Sequence, residues 1–255
     1  MSEAVENRAT LIKEYEKKID EFVCKPENLA DFKNKVYSRE LILLLREINK
    51  AKIIDKCNWE DKFAIDAIGE LIVNKAIHES MFIEIYTDLC LVLHKAEENS
   101  EKENSELYFY RTINRNAQKS FEAIAYNDDK KNGDRKLLMI GILKFISHLY
   151  RVKLLNYKII ENCIVLLIRN AEDYDYEKDL MVEYSITFME TVGPLLIQRK
   201  EDKLNLRHLG GYVTYLERMK GIVSNRIKFM IIDLVEARDK KWSDKPKKNR
   251  KSLGL

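Results

Sequence analysis

Apolar residues return every three or four positions along most of the chain, and no stretch keeps the sustained alternation of a strand. The pattern predicts helix after helix. Ser38 is placed to cap a helix running to residue 52, with Leu41, Leu44, Leu45 and Ile48 inward, and Asn58 to cap the next, with Phe63, Ala67, Leu71 and Ile72. Ser80 starts a third with Ile83, Leu89, Leu91 and Leu93, and residues 107–126 make a fourth. Over residues 135–151 apolar positions run nearly all the way round (Leu138, Ile140, Ile142, Leu143, Phe145, Ile146 and Leu149), so this helix is expected to have neighbours on both sides. Beyond a short link at 154–157, Ile160, Cys163, Ile164 and Leu167 form one stripe. Further helices are expected at 178–196, 209–222 and 224–238, with an N-terminal one at 8–22. The polar stretches 97–106 and 127–136 read as solvated loops, neither long enough to separate domains. About nine helices joined by short links can stack as antiparallel pairs, and a stack of pairs is a solenoid. The expected fold is therefore all-α, a HEAT-type α-solenoid of about five antiparallel helical pairs; no repeated motif points to tetratricopeptide or ankyrin units.

Composition agrees with that pattern. Only 8 glycines and 3 prolines occur in 255 residues, which starves turn-rich sandwiches, barrels and glycine-cradled nucleotide folds of the residues they need. The content of 45% hydrophobic and 34% charged residues excludes both disorder and a membrane-embedded chain. The longest apolar runs, such as 139–143, are far short of the ~20 residues a bilayer requires. The first ten residues are polar and acidic, unlike a secretory signal, so an intracellular, cytoplasmic protein is expected. Cys24, Cys57, Cys90 and Cys163 are dispersed, which suits reduced, buried thiols better than a disulfide or zinc framework.

Charge adds one feature. From Arg238 to Lys251 eight Lys/Arg face only Asp239 and Asp244, so this stretch carries +6 and the rest of the chain −3. Lys240, Lys241, Lys245, Lys247, Lys248, Arg250 and Lys251, with Trp242 as a face on which a base could stack, are candidates for weak, sequence-independent RNA binding; a merely solvated terminus is the competing reading. The motifs of catalysis are missing: no G-x-x-x-x-G-K-S/T, G-x-G-x-x-G or G-x-S-x-G occurs, and after His78-Glu79 the place of the second histidine of H-E-x-x-H holds Phe82. His78, His94, His148 and His208 lie on four different segments, and Glu97-Glu98 and Asp128-Asp129 read as solvated loop charges. The chain is read as a non-enzyme without cofactor or metal, its work being contact. Tyr150, before Arg151 at the end of the central helix, and Trp242, amid lysines, are the aromatics expected to be exposed as anchors.

Four segments together resemble the middle domain of eukaryotic translation initiation factor 4 gamma. SNRIKFMIIDLVEARDKKW (residues 224–242) is similar to S/T-S-R-I-R-F-M-x-x-D-x-x-x-x-R-x-x-x-W, departing only at Asn225 and Lys228. KFISHLYRVKLLNYKIIENCIVLL (144–167) resembles K-F-I-G-E-L-F-K-L-K-M-L followed by I-x-x-C-V-x-x-L, with Ser147 in the glycine place. ELIVNKAIHESMFIEIYTDLC (70–90) and INRNAQKSFE (113–122) match two further stretches in the family's order, with Ala117 where the family has cysteine. NKVYSRELI (34–42) is only loosely similar to L-N-K-L-T-P-x-x-F.

The resemblance implies a crescent-shaped, monomeric scaffold that grips the DEAD-box RNA helicase initiation factor 4A. It divides the chain into an N-terminal helical, partly flexible extension (1–36), the HEAT-repeat domain (37–242) and a basic flexible tail (243–255). Carried over residue by residue, the helicase contacts are Leu149 and Tyr150 at the L-F of G-E-L-F, Arg226 and Phe229 in R-I-R-F-M, and Tyr37 and Ile42 at the leucine and phenylalanine of the loose N-terminal motif. Related scaffolds of nonsense-mediated decay, the nuclear cap-binding complex, splicing and poly(A)-binding-protein interaction share the domain type and are the alternative. Residues 37–43 also approximate the Y-x-x-x-x-L-Φ ligand of the cap-binding protein, with Ile42 in the leucine place; the apolar stripe of Leu41, Leu44, Leu45 and Ile48 favours a packed helix there instead.

Overall fold

The computed structural model describes residues 62–100, 107–126, 134–198 and 203–242. Tyr37, Ile42, the helices expected at 8–22 and 38–52, and Lys245, Lys247, Lys248, Arg250 and Lys251 lie outside the described residues. Among the described residues every regular element is helical. The chain forms two compact units that divide between Leu155 and Asn156.

The first unit holds α1 (Lys62–His78), a 3-10 turn (Ser80–Phe82), α2 (Ile83–Ser100), α3 (Tyr108–Ala125) and α4 (Asp134–Arg151). As its all-round apolar pattern implies, α4 packs on α1, α2 and α3, and Met139, Ile142, Leu143, Phe145, Ile146 and Leu149 are buried. Gly141 lets α4 approach α1 closely, because a Cβ there would overlap the backbone carbonyl of Ile77. The polar side chains of α1 and α3 are paired: Asp66 accepts hydrogen bonds from Thr112 (2.8 Å), Tyr108 (3.1 Å) and Arg115 (2.5 Å).

Glu97 corrects the expectation of a solvated loop. It belongs to α2 and is buried, and its Oε1 accepts the backbone N–H of Phe109 at 2.7 Å. The residue before α3, Leu107, has no side-chain acceptor, so this carboxylate satisfies a donor at the α3 start and meets the positive end of its dipole. At the other end of α3, Arg135 donates to the carbonyls of Ile124 and Ala125, each at 3.1 Å. Helix α4 closes with Lys153 in the left-handed region (φ 67°) and Leu154 N–H bonded to the Leu149 carbonyl at 2.9 Å.

The second unit holds α5 (Tyr157–Asp173), a 3-10 turn (Asp175–Glu177), α6 (Lys178–Gln198), α7 (Lys203–Arg218), a 3-10 turn (Met219–Gly221) and α8 (Asn225–Asp239). Asn156 and Ser224 cap α5 and α8 through their side chains, accepting from Ile159 N–H (3.3 Å) and Ile227 N–H (3.5 Å). The polar run LNLRH hid the start of α7, which begins at Lys203 rather than at residue 209. Helix α6 is the spine, packed on α5, α7 and α8. At 21 residues it is also long and apolar enough to cross a bilayer, contrary to the expectation from short apolar runs; 61% of its apolar window is buried inside the unit.

Candidate functional site

Helix α8 is organised by two faces. Ile227, Ile231 and Leu234, spaced four and three residues apart, are fully buried. On the opposite side Phe229 is 65% exposed, beside exposed Lys228 and one turn from Arg226. Ile222, just before the helix, is also exposed. An apolar ring held in water by a rigid helix is a candidate for an interface anchor.

The Arg226 side chain is 59% exposed, but its charge is already paired. Its guanidinium forms a two-pronged ion pair with Glu183 of α6, at 3.0 and 2.6 Å, and the Glu183 side chain is only 3% exposed. One turn earlier on α6, Asp179 accepts the backbone N–H of Ser224 at 3.1 Å. Hydrogen bonding to Glu183 raises the proton affinity of Arg226 above its ordinary value. Neither Asp179 nor Glu183 was singled out from the sequence. The available signal was an acid inside an otherwise apolar helix, which needs a partner to be buried.

Two expected anchors are corrected. Leu149 and Tyr150 lie in the core with 0% and 1% exposure, although Arg151 next to them is exposed. Trp242 is also buried. Lys241 (φ 54°) and Trp242 (φ 55°) both adopt the left-handed conformation, and Trp242 N–H bonds the Ala237 carbonyl at 2.7 Å. This fold-back sets the indole on α6 at Gly193, where any Cβ would overlap the ring. The indole face proposed for base stacking is therefore occupied by the protein itself. Lys240 and Lys241 are exposed, and Lys240 lies 3.5 Å from Glu236 one turn back.

A second group of charges lies between α2 and α4: Glu84, Asp88, Lys144, His148 and Arg151. Arg151 sits 3.6 Å from Glu84 and 3.3 Å from Nδ1 of His148, which must accept, so Nε2 carries the proton. Burial pushes Asp88 up to about 6, offset by Arg151, and pushes His148 down to about 4, aided by Arg151. Their effects on stability oppose each other. Between pH 4 and 6 folded Asp88 holds more proton than its unfolded form and gains stability on acidification, whereas folded His148 holds less and loses it. Asp88→Asn should remove the gain alone, so the variant is expected to lose on the order of 1–2 kcal/mol more than the parent between pH 6.5 and 4, the solvent-screened size of such a shift. Denaturant titrations across that range check the difference. Among the described residues no group of three or more His, Cys, Asp or Glu side chains is placed to hold a metal ion.

With this geometry described, the comparisons identify the class. The family model of the MIF4G domain matches residues 27–241, and the chain belongs to that family. It is 23% identical to eukaryotic translation initiation factor 4G of Arabidopsis thaliana over 252 residues, covering 89% of this chain and 14% of that protein. It is 25% identical to human eukaryotic translation initiation factor 4 gamma 2 over 208 residues, covering 72% of this chain and 22% of the relative. The chain thus spans less than a quarter of the length of these curated relatives. The crystal structure of the MIF4G domain of Trypanosoma cruzi translation initiation factor EIF4G5 shares the fold, with a TM-score of 0.53 at 17% identity over 84% of this chain and 94% of that one. The all-α solenoid expected from helical periodicity is the fold of this family.

Proposed function

We propose that the chain is a translation-initiation scaffold that binds the DEAD-box helicase initiation factor 4A through the outer face of α8, with Phe229 as the anchor. The observation that carries this reading is the 65% exposure of Phe229 in the segment most similar to the family pattern, on a helix whose apolar stripe is otherwise buried. Family membership and the relatives' names as initiation factors support the setting. A scaffold of this kind acts by differential affinity: binding the helicase more tightly in its closed, ATP- and RNA-bound arrangement raises that arrangement's population without any catalytic group of its own. Isolated protein is accordingly proposed to be non-enzymatic, cytoplasmic and monomeric.

Phe229→Ala should weaken helicase binding by about 1–2 kcal/mol, the loss of one interface anchor, while thermal melting stays within 0.5 kcal/mol of the parent, the range of a typical surface substitution. Titration calorimetry with recombinant helicase measures the first and circular dichroism the second. Unchanged affinity in the folded variant would remove α8 from the interface. The basic residues after α8 are proposed to add weak RNA contact, now without a stacking role for Trp242. Truncation after Trp242 removes a net charge of +4, so RNA affinity and its salt dependence should fall in filter binding while helicase affinity is unchanged.

A further inference from the structure

The outer face of α8 presents Phe229 only if the helix is held at one rotation and one height on α6. Three contacts hold it there. Asp179 and Glu183, four residues apart and so on one face of α6, take the Ser224 N–H and the Arg226 guanidinium; the Trp242 indole seats on Gly193 further along the same helix. The first two act within the turn that precedes Phe229. The Arg226–Glu183 contact is directional, since a planar guanidinium meeting both oxygens of one carboxylate fixes an orientation that a lone ammonium would not.

We propose that Asp179 and Glu183 are positioning residues for the partner surface, clamping the first turn of α8, and that Arg226 belongs to this clamp rather than to the contact itself. The proposal rests on the reading of α8 as the docking face. The Arg226 charge is already taken up by Glu183, at 3.0 and 2.6 Å. Removing it therefore disturbs how Phe229 is displayed, and leaves the number of charges meeting the partner as it was. Lys228, exposed and one residue from Phe229, is the cation left to meet an acidic rim.

Two measurements on the full chain test this. Amide hydrogen exchange of the free protein reads the clamp without any partner. Glu183→Gln keeps the shape but turns one accepting oxygen into an NH2 donor, and Arg226→Lys keeps the charge but not the planar fork; each is expected to speed exchange at residues 225–230 by about 10-fold or more, while exchange in α5 stays as in the parent. Helicase titrations at several salt concentrations read the role of the charge. Glu183→Gln and Arg226→Met are both expected to weaken binding 3- to 10-fold with the parent's salt slope, whereas Lys228→Met should flatten that slope. Unaltered exchange at 225–230 in Glu183→Gln would overturn the clamp. A flattened salt slope in Arg226→Met, with exchange as in the parent, would return Arg226 to the interface. If the helicase binds the parent and Phe229→Ala alike, the docking reading fails, and the exchange data still decide whether the clamp exists.

Discussion

Tyr150→Ala is expected to destabilise the fold by about 3–4 kcal/mol, the cost of emptying the site of a large aromatic in a packed core. The side chain is 1% exposed, and Leu149 beside it is 0% exposed. The stretch of the family resemblance that places these residues at a helicase contact, the L-F of G-E-L-F, therefore points at a pair of core residues in this chain. Denaturant unfolding should show the loss directly, with a lowered midpoint and an unchanged slope. If instead the variant melts like the parent and helicase binding alone is lost, Tyr150 is an external anchor and the packing around α4 described above is wrong. The double variant Leu149→Ala/Tyr150→Ala cannot by itself report on binding, because a loss of affinity would follow from unfolding.

The second large effect belongs to Trp242. Trp242→Ala should cost about 3–5 kcal/mol, since the indole packs directly against the α6 backbone at Gly193 and its removal leaves a cavity there. Gly193→Ala attacks the same contact from the other side: the new methyl takes the place of the ring, and an overpacking cost of about 1–3 kcal/mol is expected. Gly193→Ala should in addition shift Trp242 emission to longer wavelength, read in a Trp59→Phe background because the chain has two tryptophans. If Trp242→Ala leaves stability untouched, the fold-back after α8 is not part of the folded unit.

These results explain what the sequence did and did not disclose. Helix identity was legible because three- and four-residue spacing survives wherever one face is buried, as in Ile160, Cys163, Ile164 and Leu167 of α5 or Ile227, Ile231 and Leu234 of α8. The caps Asn156 and Ser224 were not singled out from the sequence, although both are residue types that favour the N-cap position. What failed was the step from helix end to exposure. Tyr150 and Trp242 sit where their helices stop, and a helix end looks open in one dimension; both are covered because a left-handed residue, Lys153 in one case and Lys241 in the other, bends the chain back over the helix. Neither residue is a glycine, so nothing in the sequence marked the bends. Glu97 failed for the related reason that its value lies in a donor twelve residues away on another helix. The family pattern itself divides on inspection: Tyr86, Phe145, Tyr150, Ile227 and Trp242 are packed inside, and Arg226 is paired inward, which leaves Phe229 as the large side chain of the α8 motif that faces water. A motif kept for folding and a motif kept for binding cannot be told apart in one dimension.

The seat of Trp242 on Gly193 also makes a tether of whatever follows it. Because the indole is seated on α6, covalent geometry alone keeps Lys245, three residues on, within about 10 Å of that point and Lys251, nine residues on, within about 30 Å, since a chain spans at most about 3.5 Å per residue. If the folded body docks as proposed, that distance limit gives the basic residues an effective concentration in the millimolar range toward anything bound nearby, so the proposed RNA contact need not be strong on its own.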